Sequence, residues 1–258
     1  MTNDTNNGAC AAGVTTFVRN RFFYGKLMDV LHFDMEQNYF NAKRWLLNRL
    51  VLGYGVVCGL DLKIGADNAS VIVQSGVAID KWGREIVVPK DSTAVPLPPL
   101  PPASPVPAAD CPEDADCFHL VLCYHECQGD PTPALGGDCD QNAMCSPGSI
   151  RERYELCFRP GKLPDVSTDC TIGDLISGNK INYQALAEYV SSPCPPCADD
   201  SCIPLANVHV PASGVPLTEG DIDIGVRYIV FTLDLLHDLL VCLTNKPTTT
   251  EHPRGGKS

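Results

Sequence analysis

The sequence predicts a mainly β protein with flanking α-helices: an α+β chain built as an antiparallel β-sandwich or barrel, with an N-terminal and a C-terminal helix. Three observations carry this expectation. Between Val56 and Val88, short apolar runs are separated by close turns, which favours antiparallel pairing over βαβ units. Strict alternation returns at Phe118, Leu120, Leu122 and Tyr124, and again at Tyr154, Leu156 and Phe158. Strong helical spacing falls near the two ends. Met35, Tyr39, Ala42, Leu46 and Leu50 form one series, and Leu233, Leu236, Leu240 and Leu243 the other.

Taken in order, residues 1–16 read as a flexible lead and 17–55 as an aromatic segment followed by a helix. Arg19 to Lys26 is aromatic and basic, and its expected role is to pack on that helix. Asp34 followed by Gln37 reads as a capping-box start, and Gly53 and Gly55 read as the stop. A helix over 34–51 would be roughly 27 Å long at 1.5 Å per residue. Next, Cys58, Leu60, Leu62 and Ile64 alternate with polar or small residues, as a half-buried strand does.

The β domain is expected over 56–210. Ala69 to Ser75, Gly76 to Asp80 and Arg84 to Val88 are short strands, with Asp80-Lys81-Trp82-Gly83 as a turn. Seven prolines within residues 95–109 mark a polyproline-like connector that makes an excursion from the sheet. Gln128 to Gly148 reads as a loop, within a Cys-rich insertion at 127–148; a second such insertion lies at 190–202. A weak helix is expected around Tyr183 to Tyr189 and a last strand at Leu205 to Val210. Residues 211–244 form the C-terminal helical segment, and 245–258 carry no pattern and read as a disordered tail.

Composition narrows the function classes. A net charge of −12 argues against a nucleic-acid surface, because the phosphate backbone would be repelled over most of the molecule. No window is apolar for long enough to span a bilayer. Residues 1–8 lack the basic and apolar regions of a secretion signal, so a reducing compartment is expected.

Fourteen cysteines under that expectation point to metal thiolates or buried thiols, with disulfides as the alternative. Cys194-Pro-Pro-Cys197 is a C-x2-C pair, with Cys202 close behind; Cys139 and Cys145 lie in the other insertion. Two thiolate pairs from two loops suit a closed tetrahedral zinc site of structural type, on Cys139, Cys145, Cys194 and Cys197 with Cys202 as substitute. Cys58 and Cys123 alternate with strand residues and read as small core hydrophobes. His119 and His125 share a strand face with Cys123, where packing or exposure outweighs a ligand role. No nucleophile–base, zinc-protease, P-loop or dinucleotide motif is present, so the chain is expected not to be an enzyme.

Several stretches together resemble a known group. They are Arg21-Phe22-Phe23-Tyr24-Gly25-Lys26-Leu27, Asn48-Arg49-Leu50, and Gly53-Tyr54-Gly55-Val56-Val57-Cys58-Gly59-Leu60. Ala78-Ile79-Asp80 with Gly83-Arg84-Glu85-Ile86, Ser149 to Glu152, Leu205 to Val208 and Asp221 to Asp223 continue the likeness. It is similar to bacterial proteins encoded beside phage-tail-like genes in clusters for contractile injection systems. The resemblance implies a non-catalytic structural component, baseplate- or fibre-associated, with baseplate, sheath or tube proteins as partners and a possible homo-oligomer. It also implies cytoplasmic assembly into a phage-tail-like particle that is released or membrane-docked. The alternative is a β-sandwich binding module for a surface glycan or protein.

Overall fold

The computed structural model describes residues 16–100, 116–133, 145–168, 176–177, 180–212 and 214–244. The expected lead (apart from Thr16) and tail, the proline connector beyond Leu100 and the middle of the first Cys-rich insertion lie outside these residues.

Helix α1 spans Val30–Leu47, so it begins four residues before the expected start. Asp29 caps it by accepting from the His32 backbone N–H, and the His32 ring meets the Asp29 backbone in return. Asp34 therefore sits inside the helix, and the sequence reading mistook it for the cap because both aspartates precede apolar residues. A π-helical turn, Asn48–Leu52, finishes the rod, and Gly53 at φ +82° ends it as expected.

Strands β1 (Gly55–Gly59), β4 (Gly76–Ile79) and β5 (Glu85–Val88) form one antiparallel sheet in the order β1-β4-β5. A second sheet has β3 (Ser70–Val73) between β2 (Leu62–Ile64) and β6 (Val95–Pro96). The strand expected through Cys58 and Ile64 is therefore broken. Gly59 and Leu60 both take left-handed φ values, +65° and +57°, which move the chain from one sheet to the other. Leu60 accepts that conformation while fully buried in the core. The proline connector contributes β6 at its start, where Val95 pairs with Val71.

The largest sheet runs β12-β11-β7-β8, with β7 at Cys117–Pro133, β8 at Cys145–Pro160, β11 at Ile203–His209 and β12 at Ile222–Asp223. β7 and β8 pair from Phe118 with Pro160 out to Pro133 with Cys145. Residues 128–133 and 145–148, expected within a loop from Gln128 to Gly148, are thus strand, because hairpin pairing overrides a Gly- and Pro-rich composition. A small hairpin, β9 (Ile176–Ser177) with β10 (Lys180–Ile181), precedes helix α2 (Tyr183–Val190), and α3 spans Leu233–Thr244.

The three larger sheets enclose one core. Val71, Val73, Ile86, Leu120, Leu205 and Val208 are among its fully buried members. Phe118, Leu120, Leu122 and Tyr124 alternate as the sequence expects, and Leu120 and Leu122 are completely inside. The last segment closes against β1: Val56 donates to the Tyr228 carbonyl at 2.8 Å, and Val230 donates to the Val56 carbonyl at 2.9 Å. A Cβ on Gly55 would lie 2.4 Å from the Tyr228 oxygen, so the glycine in Tyr54-Gly55-Val56 permits this approach.

Candidate functional site

The turn between β4 and β5 holds the helical and Cys-rich parts of the chain to the β body. Asp80 is completely buried; its carboxylate accepts from the backbone N–H groups of Trp82 and Arg84 and from Arg84 Nε at 2.7 Å. Burial pushes the Asp80 carboxyl up, against the opposing pull of the Arg84 guanidinium. That guanidinium also donates to Ser201 Oγ and stacks between the Trp82 and Tyr124 rings, 4.6 and 4.4 Å from their centroids. One cation thereby joins the turn, the hairpin and the Cys-rich segment.

The end of α1 sits on the same turn. Asn48 donates to the Gly83 carbonyl and to Glu85, each at 2.8 Å, and Arg44 pairs with Glu85 at 3.0 Å. Gly83 has φ +91°, and a Cβ there would come within 2.0 Å of the Trp45 carbonyl oxygen. Only glycine fits.

The segment 194–202 is tied down along its length. Arg49 donates to the Pro195 carbonyl at 3.0 Å, and Trp82 Nε1 to the Ala198 carbonyl at 2.8 Å. Asp200 takes a two-pronged contact from Arg159, which holds its carboxyl below the usual carboxylate range. Cys202 forms a disulfide with Cys123, across 79 residues of sequence.

The candidate zinc ligands fare unequally. Cys202 stands in that disulfide, and Cys197 is disulfide-bonded as well. Cys194 is an exposed thiol, Cys139 lies outside the described residues, and only the backbone of Cys145 is described, opening β8. Among the described residues no group of three or more His, Cys, Asp or Glu is arranged around a metal position. Cys123 is not the simple core residue expected of it, and Cys58 is an exposed thiol rather than a buried one. Both errors have one origin: alternation gives the face of a strand, but not which neighbouring strand lies beside it. His119 Nδ1 donates to the Gly161 carbonyl at 2.8 Å, and His125 is exposed.

Two surfaces stand out by exposure. The segment ahead of α1 presents Phe22, Phe23, Tyr24 and Leu27 to solvent, with Tyr24 and Leu27 at 106% and 87%. α1 itself buries only Trp45, so the apolar series beginning at Met35 does not face the core; Met35 is 40% exposed. The contacts that tie it to the β body described above lie in its last turn, at Arg44 and Trp45, and at Asn48 just beyond. α3 buries none of its side chains from Leu233 to Cys242, and Leu233 is 85% exposed. Apolar patches of this extent mark places where another surface belongs.

A third feature is a cleft of about 430 Å³ lined by Tyr54, Tyr228, His119, Lys81, Arg159 and Asp200. The Tyr54 and Tyr228 rings lie 4.8 Å apart, and burial beside Tyr228 pushes the Tyr54 hydroxyl up to about 12.

The whole is an α+β, mainly antiparallel β protein with a disulfide-stapled body and two exposed apolar ends. No protein-family model and no curated protein matches this chain. Among the described residues no helix is long and apolar enough to cross a membrane.

Proposed function

We propose that this chain is a non-catalytic structural component of a contractile, phage-tail-like injection particle, placed at the baseplate or a fibre attachment. The observation that carries the proposal is the N-terminal surface: Phe22, Phe23, Tyr24 and Leu27 are exposed ahead of a helix that buries only Trp45. A solitary soluble domain gains nothing from such a surface, whereas a particle subunit uses it for attachment. The resemblance in the segments from Arg21 to Leu60 supplies the kind of particle. Baseplate, sheath or tube proteins are the partners this reading assigns, with assembly in the cytoplasm before release or membrane docking.

The test is cosedimentation with sheath and tube from the producing cells. The wild-type chain is expected in the particle fraction. Phe23→Asp with Leu27→Asp is expected to remain folded by circular dichroism, because neither side chain is in the core, and to be lost from that fraction. A wild-type chain found only as free protein would overturn the proposal.

The second reading, a binding module for a surface glycan or protein, is favoured by the cleft between Tyr54, Tyr228 and Arg159. Paired aromatic rings beside charged hydrogen-bonding groups suit a sugar ring. Glycan-array binding that disappears in Tyr228→Ala would support it.

A further inference from the structure

The two exposed apolar ends carry opposite charge. Residues 16–53 hold Arg19, Arg21, Lys26, Lys43, Arg44 and Arg49 against Asp29, Asp34 and Glu36, a net of +3 in a chain of −12. Residues 214–244 hold Glu219, Asp221, Asp223, Asp234 and Asp238 against Arg227, a net of −4. Some of these charges are spent within the chain: Arg44 pairs with Glu85, and Arg49 is buried. The informative ones are free. Arg19 and Arg21 are exposed beside Phe22 and Phe23, and Asp234 and Asp238 are exposed one helical turn apart on α3 among its leucines. None of these four side chains has an ion-pair partner among the described residues.

We infer that the basic aromatic N-terminal surface of one copy docks on the acidic leucine-rich α3 of a second copy, giving head-to-tail self-assembly. The inference deepens the attachment reading above and shares its N-terminal surface. Each partner offers what the other lacks. Phe22, Phe23 and Leu27 bring apolar area beside the guanidinium groups of Arg19 and Arg21; Leu235 and Leu239 bring apolar area on the side of α3 next to Asp234 and Asp238. Docking like ends together would set Arg19 and Arg21 against their own copies, or Asp234 and Asp238 against theirs, which favours the mixed pairing. Docking within one chain is not what the structure has, since both surfaces are exposed in it. The two ends are different surfaces, so the contact is heterologous. It closes into a ring if the rotation between copies allows and otherwise continues as a filament.

Analytical ultracentrifugation of the full chain tests this with three charge-reversed forms. The wild type is expected to form oligomers that grow with concentration. Asp234→Lys with Asp238→Lys blocks one end, and Arg19→Glu with Arg21→Glu blocks the other; each alone is expected to self-associate at least tenfold more weakly. Mixed together, the two variants offer two complementary contacts: the native N-terminal surface of one with the native α3 of the other, and the reversed α3 with the reversed N-terminal surface. Equimolar mixing is therefore expected to restore long assemblies in which the two variants alternate. A chain carrying all four substitutions restores opposite signs and is expected to recover long assemblies. Circular dichroism checks that each variant is folded, which the exposure of all four positions favours. A monomeric wild type, unchanged association in both variants, a mixture that associates no better than its separate components, or a fourfold chain that stays monomeric would each overturn the inference. Loss of particle incorporation with self-association intact would count against the proposed function instead, so the two failures are distinguishable.

Discussion

At the scale of single residues, Gly83 leaves the least room for a side chain among the described glycines. Its φ of +91° disfavours any Cβ, and the Trp45 carbonyl oxygen occupies the space one would need, 2.0 Å away. Gly83→Ala must therefore either strain the turn or lift α1 from it. The expected cost is about 2–3 kcal/mol, read from the urea midpoint. Gly220→Ala, where a Cβ meets nothing closer than the Thr218 hydroxyl at 3.7 Å, is the control and should stay within about 0.5 kcal/mol. Asp200 gives a pH test. Arg159 holds its folded-state carboxyl below the ordinary value of 3.8, so the pair stabilises the fold above pH 3.8. That contribution is lost as pH falls through the lowered folded value. Asp200→Asn should thus lower the urea midpoint at pH 6, and the difference from wild type should shrink towards zero as pH approaches 2. A gap that persists undiminished into acid would show that the pair is not the source.

At the scale of elements, the β7–β8 hairpin is longer than the sheet that holds it. β11 covers β7 only from Cys117 to Leu122, and Tyr124 and Tyr154 make the last contacts with the core. Residues 127–133 and 145–151 continue as a two-stranded arm, roughly 23 Å long at about 3.3 Å per residue. The arm's polar contacts are its own: Arg151 and Ser149 both bind Asp130. Replacing residues 127–151 by a two-residue turn between Glu126 and Glu152 should therefore leave the thermal midpoint within about 4 °C of wild type, for a cost under about 1 kcal/mol. A larger fall would mean the arm folds back on the body. The alternation at Phe118 to Tyr124 made the inner half of this hairpin legible in the sequence. Its outer half was not legible, because Gly129, Pro131, Pro133 and Pro147 speak for a loop until the partner strand is known.

At the scale of the whole molecule, the Cys123–Cys202 bridge and the Arg84 cation hold the 194–202 segment against the body. The bridge closes a span of 79 residues, for which removal costs about 2–4 kcal/mol. Cys202→Ser should lower the thermal midpoint in oxidised protein and change little once the wild type is reduced. The proposed zinc site makes an opposed demand, since it needs the Cys197 thiolate that the disulfide consumes. Elemental analysis is expected to find no zinc in the oxidised chain. Binding through Cys139, Cys145, Cys194 and Cys197 requires reduction and a movement that brings Cys145, opposite Pro133 at the end of the arm, to the 194–197 segment, and the reduced chain then takes up close to one zinc. No uptake by the reduced chain would end the zinc proposal.

The sequence by itself determined the α+β class, the places of the short strands, the turn at Asp80–Gly83, and the terminal helices near Met35 and Leu236, because each rests on a local period or a local turn residue. The tertiary structure decided what those elements meet. It leaves the apolar series of α1 outside the core, with Met35 exposed and Tyr39, Ala42, Leu46 and Leu50 half-buried, and gathers Arg49, Trp82, Arg84 and Arg159 around a segment distant in sequence. It also pairs Cys123 with Cys202. Periodicity states that a face is apolar, but burial is a relation between two surfaces. The second surface is supplied only by the folded chain, or, for α3 and the segment ahead of α1, by the partner we infer.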